Sequence, residues 1–154
     1  MVSVLFVCLG NICRSPMAEA VLRHKIEQRG LSGAVKVDSA GTGDWHIGNV
    51  PHEGTRKLLD RWGISYEGMV ARKVKESDLV DFDYIIGMDD SNISNLRKLT
   101  GGAEAEIMKF MDLLPEERLR EVPDPYFTGN FDEVYRLIDA GCDILLDKIV
   151  AEKL

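Results

Sequence analysis

Val2-Ser3-Val4-Leu5-Phe6-Val7-Cys8-Leu9-Gly10-Asn11-Ile12-Cys13-Arg14-Ser15-Pro16 runs from a stretch rich in β-branched and aliphatic residues into a cysteine, then into glycine and asparagine. The apolar run reads as a buried strand ending at Cys8. Gly10 and Asn11 tolerate positive φ, as a cramped loop requires. Ser15 suits a helix N-cap and Pro16 the first helical position, where a missing N–H costs nothing. The stretch therefore predicts strand, tight loop and helix start in immediate succession. A loop of that kind curled round an anion directs its backbone N–H groups inward. The following helix adds the positive end of its dipole.

Cys8 and Arg14 bound this loop, placing a thiol and a guanidinium at its two ends. Groups that would bind a phosphate also stabilise a thiolate at the centre of the loop, which is the chemistry of a cysteine-dependent phosphatase. A strand-end cysteine that merely packs is the alternative, since free cysteine is often buried and inert.

The remaining composition bounds the possibilities. A chain of 154 residues, 45% hydrophobic and 29% charged, can bury a core without staples, and one domain over 1–154 is expected. The net charge of −7 argues against a nucleic-acid binder, which needs a basic stripe. Three cysteines form neither a disulfide framework nor a zinc pattern, and with His24, His46 and His52 no metal cluster is visible. No cofactor is expected. The apolar start lacks the features of a signal peptide, and no segment approaches membrane-spanning length. A cytoplasmic protein with reduced thiols is the expectation.

Strand-like and helix-like stretches alternate along the chain. Pro16 to Arg29 has helical spacing and stops at Gly30; Val35–Val37 reads as a strand leading into a loop over Ser39–Gly43. Pro51 opens a second helix ending at Gly63. Phe82–Met88 reads as a buried strand, and the Asp89-Asp90-Ser91 cluster caps a third helix. Glu106–Phe110 is a candidate fourth strand, and a long amphipathic helix begins after Asn130. This alternation predicts an α/β fold: a four-stranded parallel sheet flanked by helices on both faces, with a phosphate-binding loop after the first strand. Such sheets bind ligands at the carboxyl ends of their strands, where Cys8 falls.

Transfer of a phosphoryl group to sulfur also needs a proton donor for the leaving oxygen. Asp124, in Val122-Pro123-Asp124-Pro125-Tyr126-Phe127, is the candidate, held by a proline on each side. A dianion beside a carboxyl group favours its protonated form. Asp-Pro is equally a turn former, and both readings stand at this point.

Cys8–Ser15 and Asp124-Pro125-Tyr126, together with Asp38-Ser39-Ala40-Gly41-Thr42, Trp45, Met88-Asp89 and Ser91-Asn92, resemble the low-molecular-weight protein tyrosine phosphatases over essentially the whole chain. The resemblance implies hydrolysis of phosphotyrosine and small aryl phosphates through a phosphocysteine. Cys8 would be the nucleophile, Arg14 the phosphate clamp and Asp124 the general acid and base. Leu9, Gly10, Asn11, Ile12, Cys13 and Ser15 would cradle the phosphate. Ser15 would also hydrogen-bond the Cys8 thiolate, and Ser39 would bond to Asn11 and support the loop. Trp45 and Tyr126 would wall the substrate ring, ordinary packing being their alternative. Cys13 would trap oxidised Cys8 as a reversible disulfide, or simply pack beneath the loop. The implied partners are phosphotyrosine-containing proteins, with inorganic phosphate as product and neither nucleic acid nor membrane.

Two positions depart from the family pattern. Met69 stands where relatives often carry a loop-network histidine, and Phe127 where many have a second tyrosine. Arsenate reductases share this fold and loop but relay oxidation through further cysteines, and none lies between Cys13 and Cys142 here. Protein-arginine phosphatases place threonine where Ile12 stands, and bulky apolar Ile12 suits an aryl phosphoester better. A non-catalytic phosphate-binding module of the same fold is the reading from another class, disfavoured by the presence of both Cys8 and Asp124.

Overall fold

The computed structural model describes residues 1–99 and 105–154. Its centre is β1 (Val2–Cys8), buried along all its 7 residues. β1 is flanked in parallel by β2 (Val35–Gly41) and β3 (Tyr84–Gly87), and β4 (Glu106–Lys109) adds to β3, giving the order β2-β1-β3-β4. Every pairing is parallel, as the alternation of strand and helix requires.

Side chains alternate across β1 and supply two cores. Val2, Val4, Phe6 and Cys8 face the larger one, with α1 (Arg14–Gln28), α2 (Glu53–Arg61) and α6 (Phe131–Lys153). Leu5 and Val7 face the smaller one, with α3 (Asp78–Asp81) and α4 (Asp90–Lys98). Helices thus cover both faces. α5 (Pro125–Thr128) is a single short turn before α6.

Three expectations are corrected. β2 continues through Ser39, Ala40 and Gly41 instead of giving way to a loop, because all three pair in register with Phe6, Val7 and Cys8. α1 begins at Arg14, with Cys13 at the N-cap and no side-chain cap. Ser15 therefore does not cap it, and Pro16 sits third in the helix, still within the first turn where an N–H has no partner to lose. α2 is capped by His52, whose Nδ1 accepts from the Gly54 N–H at 3.0 Å, so the helix starts after Pro51. The Asp89 cap does form, as a reciprocal capping box with Asn92.

Candidate active site

The register aligns Cys8 with Gly41 and Val7 with Gly87, so three strands end at one level and the loop of 9–13 leaves from it. Asn11 takes φ +56°, the one positive φ outside glycine among the described residues. Gly41 makes room for this bend: a Cβ there would lie 2.9 Å from the Leu9 carbonyl oxygen and 3.2 Å from Asn11 Cβ.

The loop carbonyls are engaged from outside. Cys8 O and Leu9 O accept from the N–H groups of Thr42 and Gly43, both at 2.9 Å, and Ile12 O accepts from His52 N–H at 2.7 Å. Cys13 O accepts from the Thr55 hydroxyl at 3.2 Å. No peptide bond is cis among the described residues, so the N–H groups of Leu9, Gly10, Cys13 and Arg14 point away from those outside partners.

Behind the loop lies a buried polar chain with a defined proton order. Asn11 Oδ1 accepts from Arg72 N–H at 2.9 Å, which fixes the orientation of the amide. Its Nδ2 then donates to Ser15 Oγ at 2.8 Å and to Ser39 Oγ at 3.0 Å. The Ser39 hydroxyl in turn donates to Glu19 Oε1 at 2.6 Å. Ser15 Oγ has Cys8 Sγ at 2.9 Å as its remaining partner among the described residues, so its O–H points at sulfur. The side chains of Asn11, Ser15 and Ser39 therefore lie on the far side of the loop from the slot and reach it through Cys8.

Glu19 was not singled out in the sequence, yet it ends this chain. It is 5% exposed and paired with Arg23, one helical turn on. Burial pushes its carboxyl above the ordinary value, against the bonds from Ser39 and Arg23. Its spacing from Arg23, i to i+4, was the available signal. Met69 is buried in the larger core.

Arg14 is 2% exposed. Its Nη1 donates to Asp89 Oδ2 at 2.8 Å and to Val122 O at 3.0 Å, and its Nη2 approaches Asp124 Oδ2 at 3.4 Å. Its Nε is buried without a hydrogen-bond partner among the described residues. Burial disfavours its charge, but Cys8, Asp89 and Asp124 outweigh that and hold the guanidinium above its ordinary pKa. Asp89, read in the sequence as a cap, is thus also the anchor of Arg14.

Asp124 forms the turn and also borders the slot. It caps α5, Oδ1 accepting from Tyr126 N–H at 3.1 Å, while Oδ2 faces Arg14. The bond from Val122 N–H to Met88 O at 2.9 Å ties its segment to the end of β3.

These elements enclose a slot of about 400 Å³. Cys8, Leu9, Gly10, Ile12 and Cys13 form its floor, and Trp45, Asp124 and Tyr126 stand round it. His46 and Phe127 also line it. The Trp45 ring folds over Gly43, where any Cβ would collide with it. The Cys13 thiol is pushed up to about 12 by burial, then by Cys8 and Asp124, against Arg14. No group of three or more His, Cys, Asp or Glu suited to a metal ion occurs among the described residues.

A parallel sheet whose central strand ends in a Cys–x5–Arg loop, with a carboxyl across the slot, has the architecture of the small cysteine-loop phosphatases. The model of the low molecular weight phosphotyrosine protein phosphatase family matches residues 3–154, and the chain belongs to that family. It is 57% identical over 154 residues to the low molecular weight protein-tyrosine-phosphatase YfkJ of Bacillus subtilis, covering 99% of each chain. The crystal structure of YfkJ superposes with a TM-score of 0.97, covering 100% of this chain and 98% of that one. PtpA of Staphylococcus epidermidis, another such phosphatase by name, is 45% identical over 99% of this chain and 96% of its own. A Drosophila arginine phosphatase is also similar in structure, with a TM-score of 0.89 at 34% identity, covering 97% of this chain and 99% of that one.

Proposed function

We propose that residues 1–154 act as one catalytic domain that hydrolyses phosphotyrosine in proteins, and small aryl phosphates, in two steps. Cys8 sulfur attacks phosphorus while Asp124 gives its proton to the leaving phenolic oxygen, forming a phosphocysteine. Asp124 then takes a proton from water, whose oxygen attacks phosphorus and releases inorganic phosphate and the Cys8 thiolate. Arg14 and the loop N–H groups carry the charge on the equatorial oxygens. The observation that carries this reading is the buried, unpartnered Arg14 Nε beside the Cys8 loop, in a guanidinium already clamped by Asp89. A phosphate oxygen is the acceptor that fits it.

Ile12 and the aromatic sides of the slot favour an aryl ester. The similarity to an arginine phosphatase makes phosphoarginine the second reading. We place the enzyme in the reducing cytoplasm, a setting supported by the free thiols of Cys8, Cys13 and Cys142. Peroxide would oxidise Cys8 to a sulfenic acid, and Cys13 would condense with it, losing water and leaving a disulfide that thiols reduce.

Phosphate release from a phosphotyrosine peptide and from phosphoarginine, with Cys8→Ser as blank, tests the reading. Turnover on phosphotyrosine that disappears in Cys8→Ser is expected. Turnover on phosphoarginine alone would move the substrate class, and tight phosphate binding without turnover would leave a binding module. In the same assay after peroxide, dithiothreitol restores the wild type but not Cys13→Ala; equal recovery in both would end the disulfide part.

A further inference from the structure

We infer that the phosphotyrosine accepted by this slot lies in a segment with apolar neighbours, gripped by a fixed aliphatic surface that continues from the slot. The inference rests on the phosphotyrosine reading above and concerns which phosphotyrosines are taken.

One stretch of chain joins two clefts. Trp45 and His46 line the slot, and Val50 and Pro51, a few residues on, line a second cleft of about 320 Å³ with Tyr66 and Val70. Ile47 sits between them in sequence. Ile47, Val50 and Val70 are 58%, 57% and 57% exposed, so each leaves more than half of its surface in water. Single exposed aliphatics are ordinary; here Val50 and Val70 share the second cleft, and Ile47 directly precedes Gly48, which is bonded to Ala71 beside Val70, so the three fall close together near the slot.

This surface is stapled in place. Gly48 N–H donates to Ala71 O and Ala71 N–H donates to Asn49 O, both at 2.8 Å, locking the loop to the segment that carries Val70. His52 N–H, bonded to Ile12 O, ties its end to the phosphate loop itself. The aliphatic groups are therefore positioned relative to Cys8, and a substrate covering them loses little entropy to ordering the enzyme.

Charge narrows the occupant. Apart from Arg14, which serves the phosphate itself, neither Lys nor Arg lines the slot among the described residues. The second cleft carries Arg56 and Glu67, whose charges offset, and Arg56 Nε is already spent on Pro51 O at 2.9 Å. With a net charge of −7 on the chain, an acidic flank meets repulsion and no dedicated cation. An aliphatic flank removes apolar surface from water on both sides.

The test compares kcat/KM on phosphotyrosine peptides of equal length with leucine-rich and with glutamate-rich flanks, using p-nitrophenyl phosphate as a probe of the slot alone. The leucine-rich peptide should be preferred by at least about tenfold, which partial burial of one aliphatic side chain supports. Ile47→Asp and Val70→Asp should each shrink that ratio several-fold and leave aryl phosphate turnover unchanged, certifying an intact fold. Equal rates on the two peptides, or a ratio unmoved by both substitutions, would overturn the inference while the slot reading stood. Loss of turnover on aryl phosphate by the unmodified enzyme would instead remove the slot reading, and this inference with it.

Discussion

At the scale of single residues, the site depends on which way each proton points. Cys8 and Arg14 could be singled out by the strand-loop-helix context they bound and Asp124 by its flanking prolines, although a packing cysteine and a simple turn stood beside those readings. Glu19 and the second role of Asp89 were not, because both act through contacts distant in sequence: Glu19 reaches Ser39, and Asp89 reaches Arg14. The ordered chain makes a sharp prediction for Asn11→Asp. The substitution keeps the shape but replaces the two N–H donors with an acceptor. Ser15 and Ser39 would then both turn their protons toward residue 11, and Cys8 would lose its donor. A hydrogen bond to a charged group contributes about 1.5–3 kcal/mol, so alkylation of Cys8 by iodoacetamide near neutral pH should slow by at least about tenfold. An unchanged alkylation rate would show that the serine proton does not set the reactivity of the sulfur.

At the scale of elements, the strands with continuous apolar sequence were legible and the short helices were not. α3 and α5 have 4 residues each, too few for helical periodicity to register. The carboxyl half of β2 read as a loop because Ser39, Ala40 and Gly41 are weak strand formers; pairing with β1 overrides that preference. Close packing between elements is likewise hidden in sequence. Gly141 of α6 is buried against Phe110, and a Cβ there would lie 2.4 Å from the ring. In an open helix, Gly→Ala gains about 1 kcal/mol. Here Phe110 is fully buried and packs on Phe6 at 6.2 Å between ring centroids, so it has no room to yield. Overpacking costs about 1–3 kcal/mol, and Gly141→Ala should be destabilising by roughly 1 kcal/mol net. The urea midpoint measures this, and a stabilised variant would mean the ring is freer than its packing indicates.

At the scale of the whole molecule, one sheet with a core on each face was legible from the alternation of strands and helices, whereas the protonation energetics of those cores emerge only from burial. Cys13 is raised from 9.0 to about 12 by burial and by the neighbouring Cys8 and Asp124. Tyr84 is raised from 10.0 to about 12 by burial and its bond to Glu152, and burial also raises Cys142. In each case the folded state holds its proton more tightly than the unfolded chain does. The stability this contributes is complete below the unfolded value and is lost as pH rises toward the folded one. The fold should therefore be indifferent to these groups near pH 7 and weaken progressively from about pH 9 toward about pH 12. Urea midpoints at about pH 8 and about pH 10.5 measure the loss, and Cys142→Ala assigns part of it. Removing that thiol lowers stability at both pH values by leaving a small cavity, but it also removes one group that must stay protonated. The fall between the two pH values should thus be smaller in the variant than in the wild type. An equal fall would place the alkaline loss elsewhere than in the buried Cys142.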